Sequence, residues 1–237
     1  KQQIINTGKE YLYSGKIKSA NIVLYRRLTM VENGFAHNPD TRVLERAKKL
    51  LKEGQLVAFP TDTNWVITCD PFIKKGVENF YRLKNAERSK HFSLLCSSLS
   101  MATDLAYIGD QIFRQIHKKI PGHYTFIFKA RKKITRVMKA SKADHEVGIR
   151  FPPAGFTNKF LDHYEGPLLS ANITHEMLGV DDHQLEIYSY LIDDELGHQL
   201  GMIIEPDPYN IVGTSTIIDF TQNGEAHVIR EGIGEWP

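Results

Sequence analysis

Residues 59–71 read FPTDTNWVITCDP, and the reading of this stretch decides the fold. An apolar run, QLVAF, enters Pro60, two threonines and an aspartate, and the apolar pattern then resumes at Trp65, Val66 and Ile67. Hydroxyls and a carboxylate next to a buried strand must find partners, because an unsatisfied polar group in an apolar setting costs roughly 2–7 kcal/mol. The cluster is therefore either a self-satisfied turn or one wall of a site at a strand end.

Outward from it, helical and strand periods mix along the chain. HNPDTRVLERAKKLLKEG, residues 37–54, reads as a helix capped by Asn38, with Pro39 in its first turn. Val43, Leu44, Ala47, Leu50 and Leu51 form its apolar stripe, and Gly54 ends it. Helices are also expected over residues 72–85, 110–120, 155–164 and 182–194. Strands are expected at FSLLC (92–96), YTFIFKA (124–130), VGIRF (147–151), PLLSA (167–171), MIIE (202–205), STIIDF (215–220) and HVIRE (227–231). YTFIF and VGIRF follow one another without room for a long crossover helix. This pattern points to the α/β class: one domain over residues 36–237, with a mixed, twisted sheet flanked by helices. Residues 1–35 carry no clear period and are expected to be an N-terminal extension.

Composition narrows the class further. Apolar residues make up 41% and charged residues 24% of the 237, as in an ordinary soluble protein. No stretch approaches the roughly 18 apolar residues of a membrane span, and no signal peptide is visible. A cytoplasmic protein without membrane partners is expected. Cys69 and Cys96 sit far apart in apolar stretches and are expected as buried free thiols. The net charge of +2 conceals an uneven distribution. Cations gather at 74–75, 82–90, 118–119 and 129–142, and acids at 176–205, so several basic runs bordering one face would attract phosphates.

Several catalytic signatures are missing from the sequence. It holds no GxxxxGK[ST] phosphate loop, no GxSxG elbow and no HExxH metal motif. What remains is a series of polar words, each following an apolar element: PTDT (60–63), LKNAERSKHFSLL (83–95), PGHYTFIF (121–128), VGIRFP (147–152), PLLSAN (167–172), STIIDFT (215–221) and VIREGIG (228–234). Strand ends beside crossing loops are where open α/β sheets hold ligands.

In this order and spacing the words resemble the YrdC-like family, which includes threonylcarbamoyl-AMP synthases and the YciO branch. The resemblance runs from about His37 to Gly234, and HNPD, HFSLLC and CSSLS lean toward YciO. It implies condensation of threonine, bicarbonate and ATP to threonylcarbamoyl-AMP and pyrophosphate, feeding tRNA modification. Magnesium is implied as a companion of ATP, with no evident protein ligand set. It also implies a sheet enclosing a basic concave groove, for which members have been considered double-stranded RNA binders. By resemblance Lys84, Arg88, Lys90, Ser170, Asn172 and Arg230 would meet ATP and its phosphates. Thr61, Thr63, His91, Thr125 and Arg150 would face threonine or its carbamate, with Asp62 fixing the turn. No regulatory domain is expected after the last strand.

Three departures bear on activity. The family's K-x-R-P word reads Lys84-Asn85-Ala86-Glu87 here. The two glycines usual after PTDT and an aromatic residue are replaced by Val66 and Thr68, which would crowd a ligand. The Ser-Ala-Asn word, Ser170 to Asn172, fits the family's longer Ser-Thr-Ser-Ala-Asn only with two residues deleted. A weak synthase and a YciO-type RNA- or nucleotide-binding module without efficient adenylation are thus the two readings.

Overall fold

The polar turn at residues 61–64 joins two antiparallel strands, β2 (Val57–Pro60) and β3 (Trp65–Cys69), whose residues are all buried. In the computed structural model, which describes residues 30–87 and 89–237, they lie inside one large sheet. The other strands are β1 (Met30–Phe35), β4 (Ser93–Leu95), β5 (Tyr124–Lys129), β6 (Glu146–Arg150), β7 (Leu168–Asn172), β8 (Met202–Asp207), β9 (Thr216–Asp219) and β10 (His227–Arg230). Their order is β1-β8-β2-β3-β7-β4-β6-β5-β9-β10, with parallel and antiparallel neighbours. The expected mixed α/β sheet is present.

The eight α-helices among the described residues are α1 (Thr41–Lys52), α2 (Lys74–Leu83), α3 (Leu99–Thr103), α4 (Asp110–Ile116), α5 (Lys132–Thr135), α6 (Lys139–Asp144), α7 (Phe156–Tyr164) and α8 (Ser189–Leu196). Three expectations need correction. Asp40, not Asn38, caps α1, its carboxylate accepting the Arg42 N–H at 2.8 Å. The helix expected at 182–194 begins only at Ser189. Residues 30–35, expected in the extension, form β1 and pair in parallel with β8, so the sheet starts six residues earlier. MVENGF lacks the alternation that marks a strand, and β8 beside it supplies the pairing instead. The rest of the expected extension, residues 1–29, lies outside the described residues. β5 and β6 are joined only by the short α5 and α6 and pair antiparallel, as their spacing implied.

Strand alternation divides the core in two. Residues paired across a ladder share a face. On the first face Val57, Phe59, Val66, Leu95, Leu168 and Met202 pack beneath Leu44, Ala47 and Leu51 of α1 and Phe156, Phe160 and Leu161 of α7. On the second, Trp65, Ile67, Leu94, Phe126, Ile149 and Ile218 pack with residues of α2, α3, α4, α5 and α8. Asp70, just past β3, anchors the first layer: its carboxylate accepts from Lys52 of α1 at 2.8 Å and from the Tyr164 hydroxyl of α7. Burial, then the bond to Asp70, pushes the Tyr164 phenol well above its ordinary range. Cys69 and Cys96 are free, buried thiols whose burial raises their pKa, which keeps them unreactive. Among the described residues no helix is long and apolar enough to cross a membrane.

Phe59 sits edge-on against both Phe156 and Phe160, with ring centroids 5.7 and 5.4 Å away. Phe160→Ala is expected to cost about 3–5 kcal/mol, since the fully buried ring leaves a cavity beneath α7. Urea unfolding monitored by circular dichroism measures it.

Candidate functional site

The helices α1 and α7 cover only part of the first face. Following the ladders outward, Val66 pairs with Asn172, Thr68 with Ser170, and Ser170 with Ser93. Leu95 pairs with both Leu168 and Arg150, Arg150 with Thr125, Thr125 with Ile217, and Ile217 with Arg230. Ser170, Asn172, Arg150, Thr125 and Arg230 therefore all belong to this one face. The second face at the same strands is apolar, which is why YTFIF and VGIRF alternate as they do.

The PTDT turn closes over this polar region. Thr61 builds the turn: its hydroxyl donates to the Asn64 carbonyl at 2.8 Å and accepts the N–H groups of Thr63 and Asn64 at 3.2 Å. Since its hydrogen is committed to Asn64, the 3.3 Å contact between the two threonine hydroxyls is donated by Thr63. Asp62 points the other way. One carboxylate oxygen accepts from Arg150 Nη2 at 2.9 Å, and the other meets His123 Nδ1 at 2.7 Å. The Asp62 carbonyl accepts the Val212 N–H, pinning the turn to the segment before β9.

That ion pair states the shape of the sheet. Two strands separate β3 from β6, a lateral gap of roughly 14 Å in a flat sheet. Moreover, Arg150 is level with Leu168, whereas the turn lies at the Asn172 end of β7. Asp62 and Arg150 meet only because the sheet coils, making the polar face concave.

Arg150 is 5% exposed, and among the described residues its Nε finds no acceptor. Burial lowers its pKa; Asp62 opposes the shift and the charge of Arg230 adds to it. Arg230 donates to the Ser215 carbonyl at 2.7 Å, and the Ser215 hydroxyl lies 2.9 Å from that of Thr125. Thr61 and Thr63 thus share the turn, Arg150 and His123 share Asp62, and Thr125 and Arg230 meet through Ser215, with Arg230 close enough for its charge to be felt at Arg150. His123 and Ser215 stand inside the words PGHYTFIF and STIIDFT, yet no role was expected of them.

The other expected residues gather beyond the turn. Lys84, at the end of α2, donates to the Asn172 carbonyl at 2.8 Å, and the next residue, Ile173, donates to Trp65 at the start of β3. Lys84 also lies 2.9 Å from Met177 Sδ. Burial, then Lys90, lowers its pKa, with Glu176 opposing. Lys90 is exposed over the Phe92 ring. His91 is paired with Asp144 at 2.5 Å, and Ser170 donates to the Ser93 carbonyl. Arg88 lies outside the described residues. Val66 and Thr68 share the polar face but form its buried wall: Thr68 bonds the Val57 carbonyl and Val66 packs with the α1 and α7 layer. No group of three metal-binding side chains assembles among the described residues.

Removing one member of a buried ion pair strands the other charge, at a cost of about 3–5 kcal/mol. Asp62→Ala is expected to lose that much stability in urea unfolding, and Asp62→Ala with Arg150→Met to recover most of it. Equal losses in the single and double variants would deny the pairing.

Residues 49–232 match the Sua5/YciO/YrdC family model, described as telomere recombination. The chain is 26% identical over 201 residues to the uncharacterised protein YciO of Escherichia coli, covering 84% of this chain and 93% of that protein. The crystal structure of E. coli YciO agrees with TM-score 0.71 at 25% identity, over 87% of this chain and 97% of that one. A putative threonylcarbamoyl-AMP synthase of Methanocaldococcus jannaschii is 27% identical over 157 residues, 62% of this chain and 74% of its own length. The crystal structure of P. abyssi Sua5 complexed with L-threonine shares the fold, with TM-score 0.72 at 19% identity, over 86% of this chain and 58% of that one.

Proposed function

The chain belongs to the Sua5/YciO/YrdC family, and we propose that it condenses threonine, bicarbonate and ATP to threonylcarbamoyl-AMP and pyrophosphate at low efficiency, for use in tRNA modification. One observation carries this reading: a buried guanidinium, Arg150, keeps an unpaired Nε–H among the described residues beside a second cation, Arg230. A buried charged donor without an acceptor is costly, and a substrate carboxylate or carbamate satisfies it with the planar fork of arginine. The threonine complex of P. abyssi Sua5 makes that amino acid the substrate to test first. Thr63, with Thr61 shaping the turn, and Thr125 line the amino-acid side, and His91 borders it.

ATP then lies toward Lys84 and Lys90, with Asn172, Ser170 and Arg230 along its phosphates and Arg88 in the same basic word. Magnesium enters as part of the ATP substrate, held chiefly by phosphates. Forming an acyl-adenylate is largely alignment and charge neutralisation, which suits cations and hydroxyls without a nucleophilic triad. Low efficiency follows from Ala86 and Glu87, which leave no arginine at the third position of the K-x-R-P word, and from the engagement of Lys84 by Asn172 and Met177. The same features favour the second reading, a YciO-type module that binds nucleotide or RNA in a basic groove without efficient adenylation.

Threonine- and bicarbonate-dependent pyrophosphate release decides between them. Wild type is expected to release it slowly, Ala86→Arg faster, and Lys84→Ala about 30- to 1,000-fold more slowly than wild type, the loss of one charged contact worth about 2–4 kcal/mol. No release from wild type or Ala86→Arg, with tight salt-sensitive RNA binding, would favour the module.

The lowered pKa of Lys84 adds a pH signature. Polyphosphate binds the protonated amine, so affinity is full below that pKa and falls as pH rises through it, before an ordinary lysine titrates near about 10.4. Lys84→Arg should move the decline to higher pH in calorimetric titrations with ATP; an unmoved decline removes Lys84 from the phosphate site.

A further inference from the structure

Asp62 holds His123 in a state that can do chemistry. As the anionic member of the ion pair with Arg150, the carboxylate offers acceptors only. The 2.7 Å contact at Nδ1 must therefore be donated by the imidazole, which puts the proton of the neutral ring on Nδ1 and a lone pair on Nε2. No hydrogen bond engages Nε2 among the described residues, and the ring is about one-third exposed (35%). The backbone is fixed as firmly: the His123 carbonyl accepts the Thr216 N–H at 3.0 Å, and two residues on stands Thr125 of the polar face. Among the described residues the ring is paired with Asp62 of the β2–β3 turn, whose other oxygen is held by Arg150 of β6, with the charge of Arg230 of β10 felt at Arg150.

An aspartate orienting a histidine through Nδ1 is the arrangement of a general base. The adenylation reading contains one step that needs such a base. The amino acid arrives as an ammonium ion, and its nitrogen attacks bicarbonate only after losing a proton. We propose that His123 Nε2 takes that proton and is a catalytic residue of the carbamoylation step. The ammonium and neutral imidazole give amine and imidazolium. The amine lone pair then forms the N–C bond to bicarbonate, yielding carbamate and water, and His123 returns its proton to solvent. The inference rests on the adenylation reading, and it assigns a role to a residue that follows directly on the Pro121-Gly122 turn.

His123→Asn separates the base from the anchor, because asparagine keeps an N–H for Asp62 and carries no basic nitrogen. Threonine- and bicarbonate-dependent pyrophosphate release is expected to fall by about 10²- to 10⁴-fold. Calorimetric affinities for threonine and ATP should hold. Nitrogen NMR of the wild-type imidazole should find the neutral-ring proton on Nδ1, a readout that needs no turnover. A proton on Nε2, or a variant releasing pyrophosphate at the wild-type rate, overturns the base and leaves the adenylation reading standing. A wild type with no threonine-dependent release overturns both.

Discussion

The Asp62 carboxylate, shared between Arg150 and His123, is the contact on which the site depends. Each of its two oxygens has one partner, Arg150 at the end of β6 and His123 just before β5. Without it a guanidinium in the coiled interior would lack its counter-charge, and the turn after β2 would lose its tie to the far strands. The question raised by PTDT is answered by division of labour. Thr61 satisfies the turn locally, while Asp62 reaches across the concave face.

The rest of the architecture explains why the polar face survives. A large sheet of this kind needs both faces covered where it is apolar. Helices α2, α3, α4, α5 and α8 accompany the second face, whereas α1 and α7 pack on residues of β2, β3, β4, β7 and β8 of the first. Coiling draws polar groups of the uncovered part together, as the Asp62–Arg150 and Thr125–Ser215–Arg230 contacts show. A buried cation such as Arg150 acts more strongly on a nearby anion than one in open water.

Much of the fold was legible because alternation is local. YTFIF and VGIRF announce one apolar and one polar side, and the stripe of α1 announces a single buried face. The first strand was not, since MVENGF has no alternation of its own and forms by pairing with β8. The α1 cap shifted by two residues because HNPD offers both an asparagine and an aspartate, and the aspartate sits where its carboxylate reaches the Arg42 N–H. In the site, the words named Thr61, Thr125, Arg150 and Arg230, but their mutual positions depend on coiling, which no local pattern encodes. His123 and Ser215 went without a role for that reason: nothing near them in the chain reveals Asp62 or Thr125 as neighbours. The glycine replacements also read differently in three dimensions, as Val66 and Thr68 are buried in the sheet beside the polar residues.

The proposed reaction requires the buried, unpaired Nε–H of Arg150 to receive a substrate carboxylate or carbamate. A crystal structure with L-threonine and a non-hydrolysable ATP analogue tests it most directly. A threonine carboxylate or carbamate oxygen is expected about 2.7–3.2 Å from Arg150 Nε, with the triphosphate toward Lys84. Threonine bound elsewhere, with Arg150 Nε still unpaired, would contradict it.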